Sequence, residues 1–207
     1  MKRDFAESFS LSFHPILIGF YSLLFVFLLP VFEVQSLGKH LLSYIAILVF
    51  ITTVAFPVFS LLMLRKQKII SSLSMPQRQE RGIPYLLNFT YYGITAYMLF
   101  RMNFIPLLIP LLIAISAMGN LVLFFFNLWI KVSAHSLAMG SLTMLIIALM
   151  HFYDLKLIVP LSVVALLSII VILSRHYLKM HTYSELILGY VLGILVCYGV
   201  FWVGFGF

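Results

Sequence analysis

Leu157-Ile158-Val159-Pro160-Leu161-Ser162-Val163-Val164-Ala165-Leu166-Leu167-Ser168-Ile169-Ile170-Val171-Ile172-Leu173 contains no ionisable side chain, and it runs straight into the polar stretch Ser174-Arg175-His176-Tyr177-Leu178-Lys179-Met180-His181-Thr182-Tyr183-Ser184-Glu185. An apolar run of that length matches the roughly 17–25 residues that cross a bilayer core as a helix. Six further apolar stretches, at 15–33, 41–64, 84–100, 104–129, 136–152 and 185–206, have comparable length. The expected fold is therefore all-α: a polytopic transmembrane helix bundle of about six to seven membrane helices. The stretch 84–129 stays open between a hairpin of spanning helices and one tilted helix plus an interfacial one, because Arg101-Met102-Asn103 is its only break. Pro30, Pro57, Pro106, Pro110 and Pro160 lie in or at the ends of these helices, where kinks are expected.

Composition agrees. Of 207 residues, 63% are hydrophobic and only 9% charged, with a mean hydropathy of +1.14, more apolar surface than a soluble domain of this size can bury. Alternating strand patterns long enough for a barrel are absent. The first apolar segment is long and no small-residue cleavage site follows it, so it reads as a retained helix. Cys197 is the only cysteine and cannot form an intrachain disulfide. No repeat or low-complexity tract interrupts the chain, which is expected to be a single transmembrane domain over 1–207. Nothing in it suggests a nucleic acid or an obligate protein partner; the bilayer itself is the expected surrounding.

The polar residues are gathered in three places. The loop 65–83 holds five of the 13 basic residues, Lys131-Val132-Ser133-Ala134-His135-Ser136 forms a second island, and 174–185 a third. With seven spans, two helices separate each from the next, so all three share one membrane face. That face carries ten basic residues (Lys2, Arg3, Arg65, Lys66, Lys68, Arg78, Arg81, Lys131, Arg175, Lys179) against three opposite (Lys39, Arg101, Lys156), which by the positive-inside rule makes it cytoplasmic. Setting aside Arg78, Arg81 and Arg175 as anion ligands leaves seven against three.

Ionisable groups are costly at membrane depth, so such clusters mark a candidate site. Arg175 offers a planar fork for bidentate phosphate contact, whereas Lys179 and His176 fit interfacial side chains as well. His181 and Glu185, four apart at the start of the last helix, share a face, and the carboxylate could hold one imidazole nitrogen while the other acts as nucleophile or base. Thr182-Tyr183-Ser184-Glu185 also has the form of a capping box, which would occupy Glu185 with a backbone donor. Ser133-Ala134-His135-Ser136 opens a helix whose backbone N–H groups can bind an anion, and Ser133 equally suits a plain N-cap. His135, with an ordinary pKa near neutrality, suits a general acid. His14, His40 and His151 sit at helix ends away from any cluster and receive no role. The six acidic residues are scattered, without the spacing of a metal site.

In order and separation these groups resemble the type 2 phosphatidic acid phosphatase superfamily, whose signatures are Lys-x6-Arg-Pro, Pro-Ser-Gly-His and Ser-Arg-x5-His-x3-Asp. The third is matched by Ser174, Arg175 and His181, with Glu185 where the family has Asp. Val132-Ser133-Ala134-His135 keeps the Ser and His of the second and replaces its Pro and Gly. The first is missing at its normal spacing; Arg78 and Arg81, followed by Pro84, stand in the corresponding loop. The resemblance covers about residues 65–190. It implies phosphoryl transfer from a lipid phosphate without metal or cofactor: His181 attacks phosphorus, His135 protonates the leaving group, and Glu185 orients His181. Arg175, Ser133, Ala134, Arg78 and Arg81 would bind phosphoryl oxygens. The implied substrates are phosphatidic acid, phosphatidylglycerol phosphate, a polyprenyl pyrophosphate or a lipid A phosphate. A bacterial inner membrane is the expected setting, with the site on the non-cytoplasmic side, opposite to the charge count. The departures from the signatures support a second reading, a catalytically inactive relative that binds an anionic lipid or transports an anion. A channel is disfavoured, because no span carries an obvious mid-membrane ionisable residue.

Overall fold

A computed structural model of the chain describes residues 3–206; Met1, Lys2 and Phe207 lie outside them, and with Lys2 one of the basic residues counted above. Every regular element is helical, and no strand occurs among the described residues. The helices are α1 (Arg3–Ser12), α2 (Pro15–Leu28), α3 (Phe32–Gln35), α4 (Gly38–Phe50), which continues through a π turn (Ile51–Ala55) into α5 (Phe56–Lys66), α6 (Gly82–Phe100), α7 (Leu108–Phe126), α8 (Ala134–Phe152), α9 (Ile158–Tyr177) and α10 (Tyr183–Phe205); a 3-10 turn (Arg78–Arg81) precedes α6.

Among the described residues, five helical stretches are long and apolar enough to cross a membrane: Gly38–Lys66, α7, α8, α9 and α10, with a sixth if α1 and α2 count as one bent span. That is compatible with a multi-pass membrane protein, with five or six such stretches where hydropathy marks seven. The difference has local causes. The α6 helix has the length, 19 residues, but Asn88, Thr90, Tyr91, Tyr92 and Thr95 dilute its apolar character. In the first stretch, Pro30 disfavours helical backbone at Leu29, so α2 stops at Leu28. The 84–129 stretch is two helices packed on one another. Pro110 and Pro160 fall in the first turns of α7 and α9, where a missing N–H removes no helical bond and no kink is required. Pro57 is different, because it leaves the carbonyl four residues back without its usual donor. The π turn lies there, and the buried Tyr92 hydroxyl donates to that Thr53 carbonyl at 2.9 Å.

Packing groups the chain into two compact units, Met1–Ile18 with Lys131–Phe207, and Gly19–Ile130. Within the second, α6 packs on α7 and on α5. Within the first, α8 and α10 form the main contact, α9 lies against α8, and α1 lies against α9. Ile158, Val163, Leu166, Ile169 and Leu173 of α9 are exposed, as suits side chains that meet lipid.

The α8–α10 contact is made by small residues. Leu186, Gly189, Gly193, Cys197 and Phe201 form the buried stripe of α10, with a Gly-x3-Gly at its centre. A Cβ on Gly193 would overlap the Leu137 carbonyl, one on Gly140 would overlap the Tyr190 carbonyl, and one on Gly189 would lie 2.6 Å from the Ser133 carbonyl. Backbones approach this closely only without side chains between them, the usual device of helix pairs in lipid. Ser141 adds a cross-helix bond to the Gly193 carbonyl at 3.0 Å. We expect Gly193→Ala to destabilise the protein in detergent by about 1–3 kcal/mol through overpacking. Gly199→Ala, where a Cβ meets nothing within 4 Å, leaves the thermal midpoint unchanged or higher; equal midpoints for the two variants would contradict this packing.

Candidate active site

The corner from α9 to α10 explains the spacing of Arg175, His181 and Glu185. At the end of α9, Lys179 N–H donates to the His176 carbonyl at 2.9 Å and Met180 N–H to the Arg175 carbonyl at 3.1 Å, the paired bonds of a Schellman termination. Such a turn needs a left-handed residue, and Lys179 supplies it with φ 55°. Lys131 caps the corner from α8's side, its Nζ donating to the Met180 carbonyl at 2.8 Å. Two residues later Thr182 caps α10, so with five residues between them the chain delivers Arg175 and His181 to the same corner.

Glu185 does both jobs that its position suggests. The Thr182 hydroxyl accepts from Glu185 N–H at 3.4 Å and the Thr182 N–H donates to Glu185 Oε2 at 3.3 Å, a complete capping box. The same Oε2 lies 2.7 Å from His181 Nδ1. A carboxylate can only accept, so Nδ1 carries the hydrogen and Nε2 of the neutral ring holds the lone pair. His181 is 6% exposed, which holds the ring in place; the Glu185 side chain is 25% exposed.

Ser133 joins this corner through its backbone. Its N–H donates to the Glu185 carbonyl at 3.3 Å, while its hydroxyl caps α8 by accepting from the Ser136 N–H at 3.3 Å and the Ser136 hydroxyl at 3.2 Å. Ser133 is thus an N-cap, fully buried, and Ala134 begins the helix behind it. His135 points elsewhere: its Nε2 lies 3.1 Å from the Ser10 carbonyl and 3.3 Å from the Ser10 hydroxyl. A carbonyl only accepts, so Nε2 bears a hydrogen here. Arg175 Nη1 donates to the same Ser10 hydroxyl at 2.9 Å, and Arg175, His14 and His181 all lie within electrostatic range of His135.

Ser10 and His14 are the residues that sequence reasoning missed. His14, assigned no role above, packs edge-on against His135 with ring centroids 5.4 Å apart, and its Nδ1 accepts the Ile16 N–H at 3.3 Å at the start of α2. The signal for both was their four-residue spacing in a segment with helical periodicity, which a hydropathy window passes over because Asp4, Glu7, Ser8 and Ser12 intervene.

A cleft of about 740 Å³ opens over the corner, lined among others by Lys131, His176, Lys179, His181, Tyr183 and Glu185. His176 stacks on Tyr183 at a centroid distance of 3.8 Å. Arg78 and Arg81 belong to the other unit, where the Arg78 carbonyl accepts from Asn127 at 3.0 Å and the buried Arg81 guanidinium donates to the Met75 carbonyl at 2.9 Å. The structure therefore brings together His181, Glu185, Ser133, His135 and Arg175, and gives Arg81 a structural contact of its own. No group of three or more His, Cys, Asp or Glu among the described residues is disposed to hold a metal ion.

Because left-handed backbone costs a non-glycine residue roughly 1–2 kcal/mol, Lys179→Gly is expected to raise stability by about 1 kcal/mol; a lower denaturation midpoint would contradict the termination described here. In comparisons with known proteins, no family model, no curated protein and no solved structure matches the chain.

Proposed function

We propose that this chain is an integral-membrane phosphatase that hydrolyses the phosphomonoester or pyrophosphate of a lipid through a phosphohistidine, using no metal. The observation that carries the reading is the pairing of the buried His181 with the partly exposed Glu185 at 2.7 Å, in the same unit as His135 and Arg175. In this reading His181 Nε2 attacks phosphorus and the bond to the leaving oxygen breaks, that oxygen taking its proton from His135 Nε2. Water then attacks the phosphohistidine, the P–N bond breaks, and inorganic phosphate leaves while His135 recovers a proton. Arg175 and the Ala134 backbone N–H neutralise charge on the phosphoryl oxygens, whereas the Ser133 N–H is engaged with the Glu185 carbonyl and Ser133 serves by capping the helix that presents Ala134. Arg78 and Arg81 lie in the other unit, where the Arg81 guanidinium is engaged with the Met75 carbonyl.

The lipid stays in the bilayer while its headgroup enters the cleft above His181. We place the protein in a bacterial inner membrane, with the site on the non-cytoplasmic side; labelling of single cysteines introduced near 131 and 179, with Cys197 replaced, reads the face directly. A non-catalytic anion-binding protein is the second reading, favoured by the contact of His135 and Arg175 with Ser10 and by the departures from the family signatures at Ala134 and Glu185.

Phosphate release from phosphatidic acid, phosphatidylglycerol phosphate and a prenyl pyrophosphate, measured on the solubilised protein with and without EDTA, separates the two. Turnover that is insensitive to EDTA and lost in His181→Ala supports the phosphatase; no turnover of any substrate, or full turnover by His181→Ala, removes it. The two jobs of Glu185 also come apart. Glu185→Gln keeps a capping side chain and is expected to hold stability while lowering kcat about ten- to a hundredfold. Glu185→Ala loses activity and about 1 kcal/mol of stability together.

A further inference from the structure

Ser10 presents two acceptor oxygens to two donors. Its hydroxyl takes the Arg175 Nη1–H at 2.9 Å and lies 3.3 Å from His135 Nε2, and its carbonyl takes the His135 Nε2–H at 3.1 Å. A guanidinium and an imidazole N–H converging on two oxygens of one group is how a tetrahedral oxyanion is held. Ser10 itself is 4% exposed, although it belongs to a ten-residue helix with Arg3, Asp4, Phe5, Glu7, Ser8, Leu11 and Ser12 all exposed.

The helix that carries it is built as a separable element. On α1, Ala6 and Ser10 are buried, facing α9. Beside them runs an aromatic row, Phe5, Phe9 and Phe13, with successive ring centroids 5.7 and 4.7 Å apart. The remaining side carries Asp4, Glu7 and Ser8. This three-sided pattern suits a helix lying in the bilayer interface, and helical backbone stops after Ser12, before His14 and Pro15 begin α2.

We infer that Ser10 is a placeholder: its hydroxyl and carbonyl occupy the seats of two phosphoryl oxygens, and an incoming phosphate group displaces them by lifting α1 off α9. The inference rests on the proposed function only for the identity of the anion. Displacement hands Arg175 a charged partner in exchange for a neutral hydroxyl, and frees the His135 Nε2–H to meet a ligand oxygen. The seat is closed by an acceptor that carries no net charge, so a phosphate outcompetes it where a neutral lipid headgroup does not.

Hydrogen exchange of the α1 amides in the full chain, reconstituted in phosphatidylcholine nanodiscs, tests this directly. Adding inorganic phosphate, or including phosphatidic acid in the nanodisc, is expected to speed exchange over residues 6–12, while phosphatidylcholine alone leaves it slow. Acceleration by phosphatidic acid only assigns the seat to a lipid headgroup; slower or unchanged exchange with both sources overturns the placeholder. A second measurement turns on sign. Ser10→Ala removes the contact that the anion must replace, so inorganic phosphate should bind it about fivefold tighter, the equivalent of one hydrogen bond. Were Ser10 instead a ligand of the bound phosphate, the variant would bind more weakly, and equal or weaker binding overturns the inference. Opening of α1 by phosphate without turnover of any lipid phosphate upholds the placeholder and removes the phosphatase.

Discussion

Contact between the backbones of α8 and α10 is the constraint on which the rest of the first unit depends. Gly140, Gly189 and Gly193 let carbonyls of one helix reach the other where any side chain would collide. In lipid no hydrophobic effect drives two apolar helices together, so close approach and the dispersion it permits must hold them. The approach continues to the ends of both helices, where the Ser133 N–H reaches the Glu185 carbonyl. The cap of one helix is thereby docked on the first turn of the other, and the side chains of both polar islands meet as a consequence of helix packing.

Much of the fold could be read from hydropathy alone, because a membrane span is the one element whose signature is a plain run of apolar residues. The positions of α4–α5 and α7 to α10 follow from it. What escaped that reading has physical reasons. Four tyrosines, an asparagine and two threonines make α6 less apolar than its length suggests, and Pro30 cuts the first stretch short. The α1 helix, too polar for a hydropathy window, is visible only through the four-residue spacing of Phe5, Phe9 and Phe13.

For the site, the spacing of Arg175, His181 and Glu185 was legible as a pattern, but its cause was not. The five residues between Arg175 and His181 are a helix termination, and the cap of the next helix follows at Thr182; only backbone and capping hydrogen bonds reveal that. Ser10 and His14 lie more than a hundred positions from the histidine they touch, a separation across which no local rule reaches. The Gly-x3-Gly of α10 stood in plain view and went unread, since its meaning lies in the partner helix.

The arm length of Glu185 has a further consequence. An aspartate at this position, as in the resembling family, is one methylene shorter, and a capping box uses the longer glutamate or glutamine. In this chain the carboxylate that touches His181 also closes the start of α10, so position 185 faces two filters at once. Glutamine passes the first and fails the second, and aspartate meets the second with its charge but has the wrong reach for the first. A drift toward the shorter acid would need a compensating cap nearby before it could be tolerated, which ties the evolution of the site to that of the helix on which it is mounted.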